Sequence, residues 1–220
     1  MKVVGTTSDN IVSARVITAT GELITVDSST PDLLWALKGA GQFFGLVTEL
    51  TLQAYPLSIL ETDDGTIWSG AFMLDITKAG EVAKVAEKLM NDREHNSASL
   101  CIITTDPHSG NPCVMLMAQY FGSAEEADKF FAPIKDLGTM MMMGGMIKVT
   151  EINNGMDPFC VKGGYKRLDL HGVPEFDPKP WQGIAESYIE LTNNCSDAKA
   201  CGFAFEMVSG DLKKQFPERC

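Results

Sequence analysis

The chain is short of positive charge: 18 lysines and arginines face 29 aspartates and glutamates, a formal charge of −11 over 220 residues. Nucleic acid and anionic membrane surfaces both demand a basic face, so neither is expected as a partner. Long apolar runs are missing too. No segment approaches a membrane span, and the opening MKVVGTTSDN carries no signal-peptide core, which predicts a cytoplasmic location. Histidine is scarce. His95, His108 and His171 lie far apart and away from cysteine, so no metal site is expected. The six cysteines include no C-x-x-C pair, and in a chain of this length they are expected to be reduced and mostly buried.

What remains is an ordinary globular composition, 45% apolar and 21% charged, with enough chain for one large or two small domains. Residues 10–19 and 22–27 are rich in β-branched positions and are separated by Thr20-Gly21, the pattern of a hairpin. Ser29-Thr30-Pro31-Asp32 then opens a helix, with a hydroxyl at the cap, proline at the first turn and an acid beside it. Gly39 is placed to end that helix in a left-handed conformation. Alternation from Leu46 to Tyr55 describes a half-buried strand. Gly39, Gly41 and Gly45 do not make a dinucleotide fingerprint, which needs strand, turn and helix in that order; here the order is helix, turn, strand.

After Pro56 the pattern changes. Residues 66–76 read as a strand and 79–92 as an amphipathic helix with Val82, Val85, Ala86 and Leu89 on one face. Two apolar strands, 99–105 and 113–121, flank the turn Asp106–Pro112, in which His108 is expected to be solvated. Ser123 with Glu126 three residues on is a capping box, and Ala127, Phe130, Phe131 and Ile134 follow as a buried stripe. A strand over 145–152, a helix over 181–191 and a strand over 200–208 complete the order. Strand, helix, strand, strand, helix, strand is a split βαβ arrangement, which predicts an α+β fold: an antiparallel sheet with helices on one face.

The segments that carry most identity are Gly5–Asn10 and Asp32–Glu49. DLLWALKGAGQFFGLVTE resembles the motif DLFWALRGGGGNFGIVTE of the berberine-bridge-enzyme-like FAD-linked oxidoreductases, whose FAD-binding domain is of the vanillyl-alcohol-oxidase, or PCMH, type. Gly5, Asp9 and Asn10 resemble that family's GLxxDN segment. Tyr120 to Ala127 is similar to a looser Y-x-G-s-x-e-e-A stretch, and Phe203 to Glu206 to the strand after it. The resemblance implies that residues 1–57 are the closing, β-rich part of the FAD-binding domain. It implies that residues 64–210 are the antiparallel domain that roofs the flavin and holds a small-molecule substrate. Gly5, Asp9, Asn10, Gly39, Gly41 and Gly45 are then the cofactor-facing positions. Ala40 for glycine and Gln42-Phe43 for a Gly-Asn pair add bulk where backbone meets the cofactor. The family's upstream pyrophosphate loop and flavin-tethering histidine have no counterpart in this sequence, nor has its C-terminal segment. The resemblance thus describes a member truncated at both ends, with FAD bound weakly or not at all by this chain alone.

Candidates for chemistry beside the flavin are few. Glu151 and Glu206 are acids near expected strand ends, suited to general-base work if a pocket faces them. Tyr165, Lys166 and Arg167 set a phenol beside two cations, able to hold an anionic or enolic substrate. Met140 to Met143 with Met146 is read as core packing or a loop, or else as an adaptable pocket lining. Three functions stay open: an FAD-linked oxidoreductase of secondary-metabolite type; a flavin-free isomerase, cyclase or dehydratase using Glu151, Tyr165, Lys166 or Glu206; and a non-catalytic binding or assembly protein. Unpaired strand edges predict self-association or a completing polypeptide.

Overall fold

The structure, a computed structural model, describes residues 5–60, 62, 64–92, 97–159, 162–163, 167–169, 171 and 176–207. The chain divides into two compact units, one ending at Ile59 and one beginning at Leu60.

The first unit is a three-stranded antiparallel sheet with one helix. Its strands β1 (Ile11–Ile17), β2 (Leu23–Val26) and β3 (Leu46–Leu52) lie in the order β2-β1-β3, and helix α1 spans Pro31–Ala40. The hairpin turn is closed by the Thr18 N–H donating to Glu22 O, as Thr20-Gly21 predicts. Ala14, Val16, Val26 and Leu37 form a small buried cluster, with Ile24, Leu33 and Leu34 packed on it. Three expectations are corrected here. Thr30 caps α1 without a side-chain bond; its hydroxyl exchanges bonds with Asp27 backbone instead. Gly39 does not stop the helix, which runs through it to Ala40 and passes into a 3-10 turn over Gly41–Phe43. Strand β3 is not half-buried: every residue in it is exposed.

The second unit is a five-stranded antiparallel sheet with helices on one face. Its strands are β4 (Thr66–Asp75), β5 (Ser97–Thr105), β6 (Pro112–Tyr120), β7 (Met141–Lys148) and β8 (Phe203–Met207), in the order β7-β4-β6-β5-β8. Helices α2 (Ala79–Asn91), α3 (Ala124–Phe130), α4 (Ala132–Lys135) and α5 (Trp181–Asn194) accompany them. The connections β4-α2-β5 and β6-α3-α4-β7 each return to a strand running the same way as the one they left. Right-handed crossovers of this kind place both helical segments on one face of the sheet. Tyr120, Trp68, Phe72 and Phe131 meet there with ring centroids 5.2–6.4 Å apart. Trp181, Ala185 and Tyr188 of α5 join the same core.

Local signals explain these elements. Ser123 and Glu126 form both bonds of the capping box, so α3 starts at Ala124. Proline at position 133 cannot continue the backbone ladder, and Phe131 breaks the helix into α3 and α4 while its ring stays fully buried. Asp106 accepts from the His108 and Ser109 amides and from the Ser109 hydroxyl, which knits the β5–β6 turn and leaves His108 exposed. The seventh strand differs from expectation. It covers Met141–Lys148 instead of 145–152, so the methionine run is an exposed sheet edge and neither core nor loop. Glu151 consequently falls in the 3-10 segment Val149–Phe159 that follows.

Candidate functional site

In the first unit, the six positions matched to cofactor-facing motifs divide into two groups. Gly5, Asp9 and Asn10 build their own loop. Asp9 Oδ2 accepts from the Thr6 amide at 2.8 Å and the Thr6 hydroxyl at 2.9 Å. Gly5 has φ +75°, and a Cβ there would meet that carboxylate at 2.6 Å. Asn10 Nδ2 donates to Thr6 O at 2.8 Å, and the Tyr55 hydroxyl donates to Asn10 Oδ1 at 2.8 Å. These polar groups are engaged in fixing the entry to β1. Gly45 is likewise required from within, since its φ is +141° and a Cβ would lie 2.5 Å from Ile17 O.

Gly39 and Gly41 are different. A Cβ on Gly39 would meet nothing within 4 Å, and one on Gly41 only Leu37 Cδ2 at 3.6 Å. Glycine in a helix costs roughly 0.5–1 kcal/mol relative to alanine, and no contact within the described residues demands it at these two places. Their backbone is open to close approach by a flat ligand. A pyrophosphate fits less well. This stretch is the C-terminal end of α1, where carbonyls rather than amides point outward and anions are disfavoured. The nearby cation, Lys38, donates to Asp9 O at 3.1 Å. The described residues of this unit leave open backbone at Gly39 and Gly41 but do not form a phosphate cradle.

In the second unit, strand alternation sorts the sheet into two faces. Trp68, Phe72 and Leu74 of β4, Val114 and Leu116 of β6, and Cys101 and Ile103 of β5 enter the core with the helices. The intervening residues lie on the opposite face. Register lines them up in rows across the strands. One row runs Glu206, Leu100, Met117, Ala71, Met143, and the next Ala204, Ile102, Met115, Met73, Met141. A third, polar row holds Ala98, Gln119, Ser69 and Gly145. The result is a face rich in methionine, on which Met73 and Met115 are buried, Met117, Gln119 and Ser69 are half-buried, and Glu206 is exposed at one margin. Thioethers adapt to varied ligand shapes, and the amide and hydroxyl can orient a polar substituent.

Of the acid–base candidates, the structure places Glu206 on this face and Glu151 apart from it, exposed in the 3-10 segment after β7. Tyr165 and Lys166 lie outside the described residues. Arg167 is engaged by Asp169, its Nε 2.9 Å from a carboxylate oxygen. Gln119, Ser69 and Met117 are not singled out by sequence reasoning; the alternation in CVMLMAQY hints at two faces, but only the register shows which residues share a row.

The buried thiols offer no nucleophile. Burial pushes the Cys113 thiol up to about 11 and Cys101 higher still. Cys195 and Cys201 are free and exposed, so among the described cysteines burial holds for half the expectation only. Tyr188 is raised chiefly by burial, and its hydroxyl donates to Cys201 O at 3.0 Å and shares a 2.9 Å bond with Thr105, a structural tie between α5 and the sheet. Tyr120, Glu126, Lys129 and Phe130 line a shallow depression of about 250 Å³, and the Glu126 carboxylate in it serves the α3 cap. No three histidine, cysteine or acidic residues among those described gather as a metal site, and no described helix is long and apolar enough to cross a membrane.

No family model matches the sequence. Individual relatives do. The FAD-linked oxidoreductase hasG of Aspergillus fumigatus is 28% identical over 227 positions, which span 98% of this chain and 46% of that protein. The (R)-6-hydroxynicotine oxidase of Paenarthrobacter nicotinovorans is 30% identical over 135 positions, 61% of this chain and 28% of that one. Among solved structures, a berberine-bridge-enzyme-like protein of Arabidopsis thaliana superimposes with a TM-score of 0.63 at 15% identity, covering 94% of this chain and 43% of its own. The 6-hydroxy-D-nicotine oxidase of Arthrobacter nicotinovorans gives 0.62 at 21% identity, over 83% and 40%. At such identities the structures show a shared fold. The chain spans less than half the length of the curated relatives it matches.

Proposed function

We propose that this chain, whose homologues are FAD-linked oxidoreductases of the berberine-bridge-enzyme-like kind, supplies the substrate-holding surface of an enzyme that oxidises a small organic molecule of secondary-metabolite type. The observation that carries the reading is the match to an FAD-linked oxidoreductase along 98% of the chain. On this reading residues 1–57 are the closing part of a PCMH-type FAD-binding domain and residues 64–210 the substrate domain.

The substrate rests on the methionine-rich face, where the half-buried row Leu100, Met117 and Ala71 excludes water from one side of it. Gln119 and Ser69 orient a polar group, and Glu206 at the margin accepts a proton from a hydroxyl or amine. Gly39 and Gly41 let the flavin ring system approach the backbone. The phosphates need donors that the described residues do not provide, so FAD is supplied together with a completing polypeptide or further chain. Titrating FAD into the pure protein while recording its visible spectrum tests this. A colourless protein with an FAD Kd weaker than about 10 μM is expected, worth less than about 7 kcal/mol. Gly39→Ala should weaken that residual binding while leaving the fold intact. A tight, stoichiometric yellow complex in the isolated chain contradicts the need for a completing part.

A second reading, flavin-free isomerisation, cyclisation or dehydration on the same sheet, is favoured by the local engagement of Asp9 and Asn10 and by the place of Glu206 on the substrate face. It requires turnover by colourless protein, lost in Glu206→Gln, with Glu151, Tyr165 and Lys166 as the other positions to substitute. Full turnover after all four substitutions ends that reading.

A further inference from the structure

We infer that the free edge of β7 is a self-association surface, on which a second copy of this chain adds its own β7 antiparallel to form a ten-stranded sheet. The inference is independent of the redox reading above.

The hydrogen bonds fix which backbone groups are available. The Val149 amide donates to Gly65 O at 3.0 Å, and in an antiparallel ladder the bonded pairs recur at every second residue. Odd-numbered residues of β7 therefore bond to β4, and the amides and carbonyls of Met142, Gly144 and Met146 point away from it. Among the described residues no strand pairs with that side. Edges of this kind are normally guarded by charge, proline or brevity. The other three sheet edges carry acids: Glu206 on β8, Glu49 on β3, and Glu22 and Asp27 flanking β2. From Leu137 to Ile147 the β7 region carries no charge and no proline. Its methionines are exposed, from 38% at Met141 to 58% at Met143.

A second copy fits this edge for geometric reasons. Two antiparallel edges that continue one sheet are related by a two-fold axis normal to it, which pairs residues of equal parity. With the axis at Gly144, Gly144 meets its own counterpart, Met142 meets Met146, and Met143 meets Gly145. Gly144 is required within the chain, since a Cβ would lie 2.8 Å from Gly70 Cα. Gly145 is not required there, as nothing stands within 4 Å of its Cβ position. In the pair it leaves room for the thioether of Met143 from the second copy. Lys148 falls opposite Met140, so no charge meets its like although each copy carries −11. Eight residues on each side bury on the order of 1,000 Å² in total, the lower limit for a specific interface.

Sedimentation equilibrium of the full chain between about 1 and 100 μM tests the proposal, since association is read from its concentration dependence. Wild type is expected to dimerise within that range. Met142→Pro removes an outward amide that the β4 ladder does not use, so it should be monomeric with unchanged circular dichroism. Met142→Lys should weaken the dimer by at least about tenfold, or 1.4 kcal/mol. Adding Met146→Glu to that variant should restore it, because the introduced cation of one copy then faces the introduced carboxylate of the other across the axis. A wild-type monomer at 100 μM overturns the proposal and leaves the edge to a different strand donor. So does a folded Met142→Pro variant that dimerises as tightly as wild type, and failure of the charge pair to rescue rejects the axis at Gly144.

Discussion

The two units of this chain solve the same problem with unequal means. The second buries one face of a five-stranded sheet beneath four helices, and its core contains Trp181, Tyr188, Phe72 and Phe131, all essentially inaccessible to water. The first has three strands and one helix around Val16, Val26, Ala14 and Leu37, while Trp35, Phe43 and Leu46 are 66–78% exposed. A core of that size supplies little free energy against the chain entropy of ordering some fifty residues. The second unit has the material of an independently stable domain. The first leaves large apolar side chains exposed around a small core.

The largest expected effect separates the two. Phe131→Ala empties a site in contact with Trp68, Phe72, Tyr120 and Phe130, and should cost about 3–5 kcal/mol. Urea unfolding followed by tryptophan fluorescence should show the loss in the transition of the second unit, through Trp68 and Trp181. An equal shift in the signal of Trp35, read in a variant that keeps only that tryptophan, would mean that the units do not unfold separately.

Glycine substitutions sharpen the comparison within the first unit. Gly45→Ala forces a side chain into a left-handed backbone position and against Ile17 O, and should cost roughly 1–3 kcal/mol. Gly39→Ala meets open space on a helix and should gain about 0.5–1 kcal/mol in the free protein. Thermal melts of both variants give the signs. If Gly39→Ala is destabilising without ligand, the openness inferred at that position is wrong.

These sites also show where sequence reading succeeds and where it stops. The capping box at Ser123, the turn at Asp106 and the βαββαβ order are written in local chemistry, because each depends on residues within a few positions of one another. Strand β7 lies four residues before its expected place, since methionine and glycine give neither alternation nor β-propensity, and its position is set by pairing with β4. Gly39 reads as a helix stop because glycine usually is one, but Gly41 keeps right-handed angles and the turn continues. Of the candidate site, the glycine-rich stretch from Asp32 to Glu49 is legible as resemblance. The row that joins Glu206 to Met117 and Met143 is not, because cross-strand neighbours are separated by tens of residues and are defined by register alone.

The smallest effect concerns acid. Asp106 is held below the ordinary carboxylate range first by the Ser109 hydroxyl and then by the His108 amide. Asp64 and Asp75 in the same unit are lowered by Thr66 and Thr77, and in the first unit Asp27 is lowered through Ser29. A carboxyl whose folded pKa is depressed stabilises the protein fully above its unfolded pKa of about 4, and that contribution is lost as pH falls through the lower folded value. Between pH 6 and 8 these groups should contribute no pH dependence. Below about 4 each unit should lose stability as these carboxyls protonate. Asp106→Asn keeps an acceptor for the turn but removes the charge, so its stability should vary less with pH in the acid range than that of wild type. Urea midpoints at several acid pH values measure this. Equal slopes for the two proteins would show that the Asp106 turn is held by shape and not by ionisation.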